Sequence, residues 1–203
     1  MKINSTKFNL SFQKTLVANT AYIKDNQVRP AKIYSLDPSK DENYLLKLED
    51  KEKWEMNNYI DNVLYHMRTV DRYKEDYPHC RSDFFVMEDE NNECISVLSL
   101  ETDRYRNETN GCFFEVRTDL STENENRKAK YIGESFILFV IKWANDVLGT
   151  KFVINIPSAT ARDFYDKCAF EHISDGFYFP QENIDFLAQQ NKAHTGVGVN
   201  LVG

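Results

Sequence analysis

The sequence predicts an α/β (α+β) fold, in which a mixed central sheet is flanked by helices, and three observations support it. Apolar residues recur at three- and four-residue steps over 56–70, which is typical of one face of an amphipathic helix. Two runs rich in β-formers, 83–87 and 94–100, are separated by the hairpin turn signal of residues 90–93. Over residues 112–156 a strand, a long helix and a continuously apolar strand follow one another, as in a βαβ unit.

The elements before the hairpin follow in order along the chain. Residues 1–30 are polar and irregular, and the alternation of apolar with polar residues over 8–12 predicts an N-terminal arm or an extra strand. A strand is predicted over 31–36, and a turn then leads into a helix over 41–53. The amphipathic helix over 56–73 comes next, so antiparallel N-terminal strands are expected beside two helices.

The βαβ unit is the most sharply defined part of the pattern. Its strands are 112–118 and 152–156, and its helix, 131–148, carries an apolar stripe that ends at Gly149. Because such crossovers are right-handed, the two strands should be parallel.

The chain after this unit predicts smaller elements. These are a short helix, a strand near 171–179, a helix over 180–190, and a tail that is either mobile or an added edge strand.

Composition and charge limit the partners. The 203 residues fit one domain, and the net charge of −7 argues against a nucleic-acid partner. An acidic surface attracts cationic substrates, although it also simply keeps a protein soluble. The cysteines form no CxxC pair and no zinc spacing with histidine, so no metal and a reduced, cytoplasmic protein are expected. No apolar run is long enough for a bilayer and no secretory signal is seen, so no membrane partner is expected.

A basic loop precedes the long helix. Arg127, Lys128 and Lys130 lie just before its N-terminus, and Gly133 allows a close approach to its first turn. Backbone N–H groups, the helix dipole and these cations together suit a pyrophosphate. The alternative is a solvated charged loop.

The stretch Ala161–Phe170 reads A-x-x-F-Y-x-K-x-A-F and follows a buried-looking strand. A tyrosine in this place, Tyr165, suits an acid that protonates a leaving group. The stretch resembles the C-terminal signature of the GCN5-related N-acetyltransferases, with Ala169 where that family usually has glycine. The resemblance extends over residues 31–179, because the order of elements also agrees.

The resemblance implies acetyl-coenzyme A as the acyl donor, bound between two splayed parallel strands. The family's (Q/R)-x-x-G-x-(G/A) loop falls on Lys128, Tyr131 and Gly133, and Tyr131 departs from the pattern by replacing a glycine. Ser158 falls where the family often has a coenzyme A-binding asparagine, although serine is also the expected helix cap. The residues expected to hold the cofactor are Val116, Thr118, Arg127, Lys128, Lys130, Tyr131, Ile132, Gly133, Glu134 and Ser158.

The resemblance also implies catalytic roles. Glu115 is the first choice for the base that takes a proton from the amine, with Glu101 as the runner-up, and the N–H of Val116 is the expected oxyanion donor. Glu115 is otherwise a surface carboxylate paired with Arg117 or with a neighbouring strand. Tyr165 is the candidate acid, and alternatively part of a packed helix face with residues 161, 164 and 168.

The expected function is therefore acetyl transfer from acetyl-coenzyme A to a primary amine by direct attack in a ternary complex. The alternative is a degenerate member of the fold that acts as a non-catalytic binding module. The expected organisation is an arm (1–30), an acetyltransferase-like domain (31–180) and a C-terminal helix and tail (181–203). A homodimer that forms through an exposed final strand is a further expectation.

Overall fold

The computed structural model describes residues 14–49, 54, 59–120, 129–155 and 161–202. Within these ranges one ten-stranded sheet is flanked by five α-helices. The strands are β1 (Thr15–Lys24), β2 (Gln27–Leu36), β3 (Cys80–Asp89), β4 (Cys94–Asp103), β5 (Glu108–Val116), β6 (Ala129–Lys130), β7 (Lys151–Asn155), β8 (Glu171–Ile173), β9 (Gly176–Tyr178) and β10 (Asn200–Leu201). The α-helices are α1 (Glu42–Glu49), α2 (Tyr59–Asp76), α3 (Ile132–Lys142), α4 (Arg162–Lys167) and α5 (Ile184–Thr195).

The sheet has the strand order β10-β1-β2-β3-β4-β5-β7-β9-β8, and β6 pairs with β1. Every neighbouring pair is antiparallel except β5 with β7. The predicted fold class, with antiparallel N-terminal strands and one parallel βαβ unit, is confirmed. The predicted alternation over residues 8–12 lies outside the described residues.

The βαβ unit opens at one end. β5 and β7 pair only between Glu108–Asn110 and Lys151–Val153, whereas β5 continues to Val116. A β-bulge interrupts the β4–β5 ladder, because Ser99 pairs with residue 113 and Leu100 with residue 111. The second half of β5 therefore has a partner strand on the β4 side and a gap on the β7 side.

Two hydrophobic cores lie on opposite faces of the sheet. The larger one packs α3, α4 and α5 on one face, and the smaller one packs α1 and α2 on the other. Phe114 and Val116 of β5 pack against the larger core, and Phe113 packs against the smaller. By strand alternation Glu115 therefore faces α1 and α2.

Several boundaries differ from the sequence-based ones. The predicted helix over 131–148 is α3 followed by a π-helical segment, Trp143–Leu148, which ends at Gly149 with φ of 68°. The single strand expected near 171–179 is a hairpin of β8 and β9. The tail contributes β10, an edge strand on β1. No helix in the described ranges is long and apolar enough to cross a membrane.

Candidate functional site

A groove opens where β5 and β7 separate, on the α3 face of the sheet. It has a volume of about 340 Å³ and lies between the end of β5, the first turn of α3 and the helix α4. Its described lining is formed by Phe114, Val116, Leu120, Lys130, Tyr131, Ile132, Gly133, Glu134, Phe164, Lys167 and Cys168. The groove therefore combines apolar walls with lysine side chains and a helix N-terminus.

Most of the residues expected to hold coenzyme A meet in this groove. Six of them line it, namely Val116, Lys130, Tyr131, Ile132, Gly133 and Glu134. Thr118 begins a 3₁₀ turn just after β5, and Arg127, Lys128 and Ser158 lie outside the described residues. The pairing of β6 with β1 places Lys130 opposite Ile23, which fixes the backbone at the entrance to α3.

The residue before α3 has an unusual backbone. Tyr131 adopts the left-handed conformation, with φ of 66° and ψ of 11°, and its carbonyl accepts the N–H of Ser135 at 3.0 Å. This conformation favours glycine and is uncommon for other residues. Tyr131 thus keeps, at some cost in strain, the backbone that a glycine would adopt most easily at this point.

The first turn of α3 faces the groove through its backbone. The leading amides of a helix have no intrahelical acceptor, and they attract anions together with the helix dipole. A Cβ on Gly133 would lie 3.2 Å from the ring of Phe164, so glycine here makes room for that ring beside the helix start. The free amides of this turn therefore lie beside the aromatic ring of Phe164.

A carboxylate held by α5 lies in the same turn. Glu134 is 7% exposed and accepts hydrogen bonds from Asn191 Nδ2 at 3.0 Å and from Gln190 Nε2 at 3.1 Å. His194 Nδ1 lies 3.1 Å from both carboxylate oxygens, and its ring stacks on Tyr131 at 4.2 Å between centroids. The α5 residues therefore provide hydrogen-bond partners for a buried carboxylate at this helix end.

The backbone of β5 offers a donor to the groove. The N–H of Arg117 donates to Ile95 O on β4 at 3.0 Å. Since successive amides of a strand point to opposite sides, the N–H of Val116 points away from β4. That direction leads to the gap left by β7, so an extended ligand can pair with this edge as an added strand.

Glu115 lies on the other face of β5 and is 5% exposed. Its backbone carbonyl accepts a hydrogen bond from Ser96 Oγ at 2.7 Å. The guanidinium of Arg117 donates to Glu93 at 2.9 Å and to Asp119 at 2.7 Å. Arg117 thus pairs with the carboxylates of Glu93 and Asp119, and neither of these is the Glu115 carboxylate that the sequence suggested as its partner.

A second polar group lies on the α1–α2 face near the point where the strands part. His66 Nε2 is 3.0 Å from Ser82 Oγ, and burial lowers the pKa of His66 while the nearby Glu101 carboxylate raises it. Burial, with a contribution from Glu101, raises the pKa of Cys112 to about 12. Asn110 Oδ1 accepts the N–H of residue 155 at 3.1 Å and so ties β7 to β5 where their pairing ends.

Tyr165 is buried, at 6% exposure, within an aromatic cluster. Its ring centroid lies 5.3 Å from that of Phe170 and 5.2 Å from that of Phe177. Phe164 and Cys168 line the groove, whereas Tyr165 is not part of its described lining. These contacts agree with a packed face of this helix, and the role of Tyr165 as an acid stays a prediction.

The sequence reasoning missed His66, Gln190, Asn191 and His194. His66 and His194 have no sequence spacing that links them to another polar residue. Their partners, Ser82 and Glu134, come from distant parts of the chain. No signal in the linear sequence marks either pairing.

One group of metal-ligand type lies within the described residues. His79, Cys80 and Asp103 place ligand atoms within 4.8 Å of one another. Asp103 also accepts the N–H of Tyr105 at 2.8 Å and lies 3.6 Å from the guanidinium of Arg106. The group is at the start of β3 and the end of β4, which is the sheet end away from the groove.

Solved structures match this architecture. Apo FdhC, a nucleotide-linked sugar GNAT, aligns with a TM-score of 0.55 and 13% identity over 88% of this chain and 98% of that one. A chimera of the spermidine N-acetyltransferase SpeG from Vibrio cholerae and hSSAT aligns with a TM-score of 0.53 and 12% identity over 76% and 97% of the two chains.

The chain has the GNAT fold. A mutant of SpeG from Vibrio cholerae gives a TM-score of 0.50 at 12% identity over 76% of this chain and 95% of that one. No protein-family model and no curated protein sequence matches the chain. The GNAT fold resemblance deduced from the sequence is thus confirmed by structure, while the sequence identity to these neighbours is low.

Proposed function

We propose that the chain is an acyltransferase that moves an acetyl group from acetyl-coenzyme A to a primary amine. The observation that carries this proposal is the early end of the β5–β7 ladder at Asn110, beside the N-terminus of α3. One cavity there offers both a strand edge and a helix dipole. The first suits a pantetheine arm and the second a pyrophosphate.

The groove residues fit such a donor in most respects. Phe114, Val116 and Phe164 supply apolar walls for the arm, and Lys130 and Lys167 supply positive charge. Glu134 is the discordant group, because a carboxylate repels phosphates. Its hydrogen bonds from Gln190 and Asn191 on α5 hold the carboxylate in place beside the groove.

The chemistry divides between the two faces of β5. Bound acetyl-coenzyme A would supply an activated thioester carbonyl, and the N–H of Val116 would stabilise the negative charge that develops on its oxygen. The attacking amine must lose a proton, and Glu115 or Glu101 on the α1–α2 face would take it directly or through water. Tyr165 is the residue that would return a proton to the thiolate.

The donor and the amine can then react in a ternary complex with no covalent enzyme intermediate. The names of two neighbours, a spermidine N-acetyltransferase and a sugar GNAT, accord with transfer of this kind.

A cytoplasmic location is part of the proposal. The four cysteines, all within the described residues, are free thiols, as a reducing compartment maintains them. The homodimer stays a prediction, and β8 and β10 are the outermost strands that could pair in it.

A second function is favoured by a specific departure in the groove. Tyr131, in a left-handed conformation, replaces a glycine of the family pattern at the N-terminus of α3, where the pyrophosphate is proposed to bind. The Glu134 carboxylate adds negative charge at the same place. A chain that binds coenzyme A but does not turn it over would be a non-catalytic binding module.

Thermal shift with acetyl-coenzyme A tests the proposal. At 100 times its dissociation constant a ligand adds about 2.7 kcal/mol, so the melting temperature should rise by about 5 to 11 °C. Lys130→Glu should weaken binding about tenfold or more, whereas the control Lys142→Glu, at the other end of α3, should not. A shift with thiol release in the presence of amines supports the enzyme. A shift with no thiol release supports the binding module, and no shift at millimolar ligand removes both.

A further inference from the structure

Lys14 inserts its side chain between two tyrosine rings just before β1. Its Nζ lies 4.5 Å from the ring centroid of Tyr34 and 5.0 Å from that of Tyr44. The same ammonium forms an ion pair with the carboxylate of Glu88. Two aromatic faces and a carboxylate around one ammonium are the arrangement by which proteins recognise alkylammonium groups.

Glu88 is the buried floor of this cage. It is 1% exposed, and its Oε1 accepts hydrogen bonds from both the Tyr44 hydroxyl and Lys14 Nζ. Its other oxygen, Oε2, is buried and has no hydrogen-bond partner among the residues that the structure describes. Burial of a carboxylate is costly unless a cation or hydrogen-bond donors accompany it, and the unsatisfied oxygen of Glu88 can accept a further donor.

Two other titratable groups beside Glu88 are neutral, while Lys32 lies opposite Glu88 in the β2–β3 pairing. Burial raises the pKa of Tyr44 far above its ordinary value, and Cys94 and Glu88 raise it further, so Tyr44 stays a hydroxyl donor. Burial raises the pKa of Cys94 to about 12, so this thiol is also uncharged at physiological pH. The ammonium that pairs with Glu88 is therefore that of Lys14, whose side chain is 20% exposed.

We propose that Tyr34, Tyr44 and Glu88 form a binding site for a primary alkylammonium group, which Lys14 occupies as an internal competitor. Lys14 precedes β1 and is not part of the strand ladder, so its withdrawal breaks no backbone pairing of the sheet. An external ammonium would take the same place between the rings. Its three N–H donors could serve Glu88 Oε2 as well as Oε1.

The cage lies on the face of the sheet that carries Glu115. Val86 pairs with Val97 and Val97 pairs with Glu115, while Glu88 is two residues further along β3 on the same face. Strand spacing and rise place the two carboxylate residues about 12 Å apart. If the proposed acetyl transfer holds, the cage would anchor the distal ammonium of a linear diamine whose other amine reaches Glu115.

Chemical rescue of Lys14→Ala tests the cage without any acetyl donor, so its failure is distinct from failure of the proposed function. With a dissociation constant of about 10 mM, 100 mM n-butylammonium chloride should raise the melting temperature of this variant by about 3 to 6 °C. Sodium chloride and tetramethylammonium chloride at 100 mM should not match this rise, because neither supplies N–H donors. A rise equal to that with sodium chloride would overturn the proposal.

Two matched variants locate the effect. Lys14→Met fills the space of the lysine stem and should show no rise specific to n-butylammonium. Lys14→Ala with Glu88→Gln removes the carboxylate and should lose the specific rise. A specific rise that persists in this double variant would contradict the role of Glu88.

A measurement on the unaltered chain applies even where Lys14→Ala does not fold. In protein with ¹⁵N-labelled lysine, the ammonium resonance that is missing from Lys14→Met belongs to Lys14. Addition of n-butylammonium should move this resonance towards that of a solvated lysine. An unchanged resonance at 200 mM would show that no external ammonium competes for the cage.

Discussion

Replacing Tyr165 separates its packing from its proposed chemistry. Tyr165→Ala empties a site that is 6% exposed and removes ring contacts to Phe164, Phe170 and Phe177. Large-to-small changes at aromatic core positions cost about 3 to 5 kcal/mol. For a chain of this length the melting temperature should fall by about 6 to 20 °C.

Tyr165→Phe keeps the ring and removes only the hydroxyl. The loss of one hydrogen-bonding group should cost about 0.5 to 1.5 kcal/mol of unfolding free energy, measured by urea denaturation. If the hydroxyl protonates the departing thiolate, turnover in a thiol-release assay should fall by about a hundredfold or more. Its binding of acetyl-coenzyme A should change little.

Tyr178→Phe is the matched control, since it removes a phenol on β9 to which no catalytic role is assigned. It should leave turnover within about twofold of the unaltered chain. Unchanged turnover in Tyr165→Phe, with the control also unchanged, would refute the acid role and leave Tyr165 as a packing residue.

Three other predictions concern the strand edge, the base and a buried thiol. Val116→Pro removes an N–H that points away from β4, so the fold should persist while turnover falls about 10²- to 10³-fold in the thiol-release assay; an unchanged rate would exclude this donor. Glu115→Gln should lower turnover about a hundredfold near neutral pH and much less at high pH, where the amine deprotonates unaided; an equal loss at every pH would point to a structural role. Burial raises the pKa of Cys94 from 9.0 to about 12, so its contribution to stability is complete below pH 9 and is lost as pH rises to 12. Cys94→Ala should therefore reduce the slope of unfolding free energy against pH in that window by about 1.4 kcal/mol per pH unit, and an unchanged slope would contradict the shift.

The periodicity of apolar residues predicted those helices and strands whose formation depends on neighbouring residues in the sequence. The apolar stripe over 56–70 predicted α2, and the strand–helix–strand pattern over 112–156 predicted the parallel pair of β5 and β7. The β8–β9 hairpin was missed although Asp175-Gly176 is a recognised turn signal. A Cβ on Gly176 would lie 2.0 Å from the carbonyl oxygen of Ile154, which explains the need for glycine there.

The site was predicted in part for the same reason. The basic approach to α3 and the end of β5 carry local signals, and Lys130 of the first and Phe114 and Val116 of the second line the groove. Contacts between segments that are far apart in the sequence carry no such local signal. The bonds of Glu134 to α5 and the insertion of Lys14 between Tyr34 and Tyr44 depend on how the chain returns to itself. Such contacts follow from the topology of the whole sheet.

Amide hydrogen exchange with and without acetyl-coenzyme A is the most direct test of the groove as the donor site. Exchange should be slower at residues 114–116 of β5 and 131–134 at the start of α3, because a bound donor would pair with the first segment and cover the second. Amides of β2 and β3 should be unaffected. Saturating acetyl-coenzyme A that leaves both groove segments unprotected, or protects a different part of the chain, would contradict the account.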